Sequence, residues 1–151
     1  MKIYIASKYI EHRDINTKIF KKLIDNGFDV FLPESINIDG KTYQEMQQIA
    51  EQCYNAIDSC DVLLVVAPFG LSVAAEIGYA IYKKRKFSNT TIILFRYGNE
   101  GREKQDREAM IVPFYDFFLS NVDFSIDSTS GKYEEDVLNK LISLVTLIKN
   151  K

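Results

Sequence analysis

DVLLVVAPFGLSVAAEIGYAIYKKR, residues 61–85, decides how this chain folds. Residues 62–67 form an unbroken apolar run rich in β-branched side chains, the composition of a strand buried on both faces. Pro68 and Gly70 then interrupt the run. Ser72 is placed to cap a helix, which residues 73–84 continue with apolar side chains at helical spacing. Glu76 stands three residues after Val73 and four before Ala80, so it shares their inward face. A carboxylate directed into apolar surroundings is costly to ionise unless a partner stabilises it. Glu76 is therefore the residue to explain. Its bland alternative is an acid in the first helical turn, favoured by the helix dipole by less than about 1 kcal/mol.

Outward from this stretch, strands and helices alternate. Residues 2–7 (KIYIAS) are a first strand, and 11–26 a helix with Ile15, Ile19, Phe20, Leu23 and Ile24 on one face, closed by Asn26-Gly27. Residues 28–32 are a second strand and 34–42 an excursion loop. Residues 43–59 are a helix with Met46, Ile49, Ala50, Cys53 and Ile57 inward. Residues 90–95 follow as a fourth strand, and 97–106 as a polar, glycine-punctuated loop or lid. Residues 107–120 are helical around Pro113, 122–126 a fifth strand and 133–149 an amphipathic closing helix. This alternation predicts one α/β domain over residues 1–151. Its sheet is five-stranded, parallel and doubly wound in the flavodoxin-like manner, with helices on both faces. For strand order 2-1-3-4-5 a ligand belongs beyond the carboxyl ends of strands one and three, beside Ser7 and Glu76.

Composition narrows the chemistry. A chain of 151 residues, 46% hydrophobic and 26% charged, buries a core without staples. A net charge of -2 gives no reason to expect a nucleic acid polymer or an anionic membrane as partner. No apolar run reaches membrane-span length and the N-terminus lacks a signal-peptide h-region, so a cytoplasmic protein is expected. One histidine, His12, leaves little scope for a histidine-centred triad or metal site, and Cys53 and Cys60 read as reduced core thiols. Gly70 and Gly78 form neither a dinucleotide fingerprint nor a phosphate-binding loop.

Three segments, KIYIAS, YNAIDSCDVLLVV and GLSVAAEIGYA, resemble the nucleoside 2-deoxyribosyltransferase family and its relatives that hydrolyse nucleoside 5'-monophosphates. The resemblance spans roughly residues 2–96. It implies that Glu76 is a catalytic nucleophile that forms a glycosyl ester, and that Tyr4 hydrogen-bonds it and keeps it oriented. It implies a nucleoside or nucleotide and a free base as partners, and no metal or organic cofactor. It also implies a homodimer or higher oligomer, for which Phe114, Tyr115, Phe117 and Phe118 offer apolar material. Ser7, Lys8, Arg13, Gly70 and Ser72 would line the substrate site, with the hydroxyl and basic residues suited to a phosphate. Two positions differ from the transferases: Gly70 stands where they often carry an aspartate, and no carboxylate stands at Cys53. The base-recognition half of the site is therefore not carried over.

Overall fold

Strand β3 (Val62–Ala67) is buried along its whole length at the centre of the molecule. In the computed structural model, which describes residues 1–8, 12–33, 40–87, 89–97, 112–128 and 134–151, five strands pair in the order β2-β1-β3-β4-β5, all parallel. The others are β1 (Lys2–Ala6), β2 (Asp29–Phe31), β4 (Thr91–Tyr97) and β5 (Phe124–Ser128). The helices are α1 (Arg13–Asp25), α2 (Tyr43–Ser59), α3 (Leu71–Phe87), α4 (Val112–Leu119) and α5 (Glu134–Lys149). The expected flavodoxin-like α/β architecture is the one found.

Strand alternation sorts the core into two layers. Leu63, Val65 and Ala67, with Tyr4 and Ala6, pack under α2, α3 and α4. Val62, Leu64 and Val66, with Ile3 and Ile5, pack under α1 and α5. Tyr4 pairs in register with Leu63, so it shares the α3 side of the sheet. That register decides where the site forms.

Several local details depart from the sequence-based expectation. Helix α3 starts at Leu71, and its first backbone bond runs from Ala74 N to Gly70 O at 2.9 Å. Gly70 therefore holds the cap position, and Ser72 is an exposed residue of the first turn. Strand β5 begins two residues later than expected, because 121–123 serve a turn. There the Asp123 carboxylate accepts from Ile92 N at 2.8 Å and from Lys84 Nζ at 2.6 Å, tying the turn to β4 and α3. Of the four aromatics assigned to an interface, Tyr115 and Phe118 are fully buried, Phe118 edge-on to Phe69 at 5.6 Å. Only Phe114 and Phe117 face outward. Of the loops expected at 34–42 and 97–106, residues 34–39 and 98–106 lie outside the described residues, and Tyr97 is the last residue of β4.

Helix α2 is as long as expected, but its inward face is only partly used. Ile57 is its one buried residue; Ile49 and Cys53 are half-buried, and Met46 and Ala50 are exposed. Seventeen helical residues extend about 25 Å, whereas the five-residue β1 beneath spans roughly 17 Å, so the helix overhangs the sheet. Its free end is finished by a capping box: Thr42 Oγ1 accepts from Glu45 N at 3.3 Å, and Thr42 N donates to Glu45 Oε2 at 2.7 Å.

The opposite end of α2 is fastened by a buried cation. Lys83 Nζ, on α3, donates to Ile57 O at 2.8 Å, which also accepts from Cys60 N at 3.2 Å, and to Cys60 O at 2.9 Å. Lys83→Met keeps the apolar stem and strips those two carbonyls of their charged donor. It is expected to cost about 2 kcal/mol, read as a lower urea midpoint at unchanged slope. A second expectation concerns Gly27, which follows the α1 cap Asn26 at φ +78°. Nothing crowds a Cβ there, so Gly27→Ala is expected to cost about 1 kcal/mol from backbone conformation alone, by the same measurement.

Candidate active site

The strand order reverses at β1: the chain passes from β1 to β2 on one side, then returns to β3 on the other. The crevice this leaves lies beyond the carboxyl ends of β1 and β3, where Ser7-Lys8 and Pro68-Phe69-Gly70 emerge. Helix α3 leaves β3 across that crevice. Val73, Ile77 and Ala80 bury its inner side, and helical spacing sets Glu76 at the rim of this buried face. Glu76 is the sixth residue of α3, and the first turn holds no acid. A dipole-favoured surface carboxylate therefore does not describe it.

Tyr4 reaches Glu76 from β1. Its hydroxyl donates to Glu76 Oε1 at 2.8 Å, a bond between residues 72 apart in sequence. The Tyr4 ring is fully buried and stacks on Phe31 of β2, centroids 5.5 Å apart and planes 15° apart, so the hydroxyl is aimed by a fixed ring. Burial pushes the Glu76 carboxyl up to about 7, against the stabilising pull of the Tyr4 hydrogen bond. Burial, then the negative charge of Glu76, drives the Tyr4 hydroxyl far above the ordinary phenol range, so it remains a proton-bearing donor. The pair can present a desolvated, oriented carboxylate near neutrality. That is what a nucleophile or an anionic stabiliser of a cation requires.

The remaining expected residues are distributed unevenly. Ser72 lies one turn before Glu76 on the same side of α3, with its side chain exposed. Lys8 runs across Gly70: a Cβ built on Gly70 would meet Lys8 Cε at 3.6 Å and Cγ at 3.9 Å. The Lys8 carbonyl accepts from the buried Asn16 amide at 3.3 Å, tying the end of β1 to α1. Ser7 Oγ is buried and has no hydrogen-bond partner among the described residues. Arg13 opens α1 with an exposed side chain. Its carbonyl accepts from Thr17 Oγ1 at 2.8 Å, and among the described residues no hydrogen bond joins it to Glu76.

One neighbour was not expected. Cys53, half-buried on α2, packs against the core layer that holds Tyr4. Its position on the inward face of α2 was readable; the layer it packs against depends on how the helix crosses the sheet, which spacing does not encode. Among the described residues, no group of three or more histidine, cysteine, aspartate or glutamate side chains could hold a metal ion. A separate groove of about 360 Å³ lies between α3 and α4, lined by Gly78, Ile81, Tyr82, Arg85, Lys86 and Phe117.

No protein-family model matches the chain, and no curated protein matches it significantly. Solved structures do. A 2-deoxyribosyltransferase from Bacillus psychrosaccharolyticus superposes with a TM-score of 0.55 at 18% identity, over 72% of this chain and 82% of its own. A conserved protein from Enterococcus faecalis V583 gives 0.61 at 18% identity, over 95% and 98%. The TIR domains of the activated Roq1 resistosome, which recognises the pathogen effector XopQ, give 0.66 at 14% identity, also over 95% and 98%. The likeness is one of fold. The same fold is shared with a 2-deoxyribosyltransferase and with proteins of other description. Among the described residues no helix is long and apolar enough to cross a membrane.

Proposed function

We propose that this protein cleaves the N-glycosidic bond of 2'-deoxynucleosides and transfers the deoxyribosyl group to another base, with Glu76 as nucleophile. One observation carries this reading: a carboxylate half-buried at the switch-point crevice and held by Tyr4 at 2.8 Å. The fold shared with a 2-deoxyribosyltransferase, and the sequence resemblance to that family, supply the substrate class. In the first step a Glu76 oxygen bonds to the anomeric carbon while the carbon–nitrogen bond breaks. The electron pair departs with the base, which is then protonated. The oxocarbenium-like transition state gains from the adjacent anion, more so in a site shielded from water. In the second step a nitrogen of the incoming base attacks the same carbon, and Glu76 leaves as carboxylate. Two inversions give net retention. Tyr4 keeps one carboxylate oxygen occupied and aimed throughout.

A second reading, hydrolysis of a nucleoside 5'-monophosphate, is favoured by a different observation. Ser7 Oγ is buried without a hydrogen-bond partner among the described residues, and Lys8 lies across Gly70, where the transferases often carry an aspartate. A hydroxyl and a cation at this edge suit a phosphate. Chromatography separates the readings. The protein is incubated with deoxynucleosides or deoxynucleoside 5'-monophosphates, each with and without a second free base. A new nucleoside is expected. Free base from monophosphates alone, indifferent to acceptor, supports the hydrolase. Binding without turnover would leave a nucleotide-binding domain on this fold.

A further inference from the structure

Register sets three side chains in a row on the Glu76 side of the sheet: Phe31 on β2, Tyr4 on β1 and Leu63 on β3. The Tyr4 ring stands between the other two. On one side is Leu63, fully buried and backed in turn by Ile92 of β4. On the other is Phe31, stacked on Tyr4 with centroids 5.5 Å apart and planes 15° apart. We infer that Phe31 is a positioning residue for Glu76: its ring closes the slot that keeps the Tyr4 hydroxyl on the carboxylate. The inference rests on reading Glu76 as the nucleophile, and it gives the edge strand β2 a part in the site.

The Tyr4 hydroxyl, 2.8 Å from Oε1, makes the one side-chain hydrogen bond of the Glu76 carboxylate among the described residues. It stands at the tip of its side chain, so a small swing at the Cα–Cβ bond moves it furthest and weakens the bond steeply. A swing toward β3 meets Leu63 in a packed layer. A swing toward β2 meets Phe31 alone, because β2 is the edge of the sheet and no strand lies behind it. Of the three β2 residues, Asp29 is exposed and Val30 turns to the opposite layer, which leaves Phe31 to form this wall. Phe31 is itself only half-buried. Leucine would fill such a place as well, but a flat ring opposes the swing across its whole face.

The test is a titration of the Glu76 carboxyl by carbon-detected NMR, which requires no turnover. It is run on wild type, Phe31→Leu, Phe31→Tyr, Tyr4→Phe and the double variant Tyr4→Phe/Phe31→Leu. The Tyr4 hydrogen bond favours the ionised carboxylate, so loosening it in Phe31→Leu is expected to raise the midpoint by several tenths of a pH unit. Phe31→Tyr keeps a flat ring and is expected to stay near wild type. In the Tyr4→Phe background, Phe31→Leu is expected to move nothing further. A ring that merely fills space predicts otherwise: water entering beside leucine would lower the midpoint, equally in both backgrounds. That result, an unmoved midpoint in Phe31→Leu, or a rise of the same size in both backgrounds overturns the inference. Should Phe31→Leu not fold, Phe31→Met, unbranched and flexible, takes its place with the same expectations. If the deoxynucleoside assay succeeds, Phe31→Leu is also expected to lower kcat several-fold with KM unchanged. If that assay fails while the midpoints behave as stated, Phe31 keeps its positioning role and the transfer reading falls.

Discussion

Glu76→Gln is expected to reduce turnover of a deoxynucleoside at least about a thousand-fold, equivalent to roughly 4 kcal/mol of barrier. Glutamine keeps the size of the side chain, and its amide oxygen still accepts from the Tyr4 hydroxyl that now meets Oε1 at 2.8 Å. What it lacks is charge and nucleophilicity, so the loss falls on bond formation at the anomeric carbon and not on the architecture of the crevice. The pH profile follows from the same group. With the carboxyl at about 7, kcat/KM is expected to climb as pH rises through neutrality, because only the ionised form attacks. Single-turnover release of base, followed at pH 6 to 8.5 for both proteins, checks each expectation. A glutamine variant within ten-fold of wild type would remove Glu76 from the chemistry.

The second large effect concerns stability and has the opposite sign. In the folded protein Glu76 titrates at about 7, against 4.5 for an ordinary glutamate. Between those two values the native state holds a proton that the unfolded chain has released. Stability from this group is thus fully present below about 4.5 and is lost as pH rises through about 7. A displacement of this size corresponds to about 3 kcal/mol. Glu76→Gln has no such dependence. It is expected to match wild type near pH 4.5 and to exceed it by up to about 3 kcal/mol at pH 8, in urea unfolding at both pH values. An inactive variant that is also more stable is the usual mark of a strained, functional carboxylate. A variant less stable than wild type at pH 8 would mean that Glu76 serves the fold.

The sheet was legible because its signals are local and repeated. Apolar runs at 62–67 and 90–95, each punctuated before a helical pattern, leave little choice but a parallel sheet. Glu76 was legible for the same reason: helical spacing alone places it beside Val73 and Ala80. Details that depend on neighbours were less so. A serine and a glycine compete for the α3 cap, and the first turn closes on Gly70. Phe114, Tyr115, Phe117 and Phe118 read as one apolar cluster, yet Tyr115 and Phe118 fill the core beneath while the other two do not. Only the packing of α4 on Phe69 separates them. Cys53 shows the limit most clearly. Its face was assigned, but the layer it packs against is set by how a helix crosses the sheet, which no spacing in one chain records.

Helix α2 is built as a cantilever. Its last turn is clamped by Ile57 and the Lys83 bonds, while its first turns project past the sheet and, among the described residues, are finished by their own capping box. Cys53 stands near the fulcrum. Deflecting the projecting half breaks no buried contact of the core, so its cost is set by a solvated helix instead of by the stability of the domain. The projecting half of α2 is therefore held less firmly than the sheet beside it.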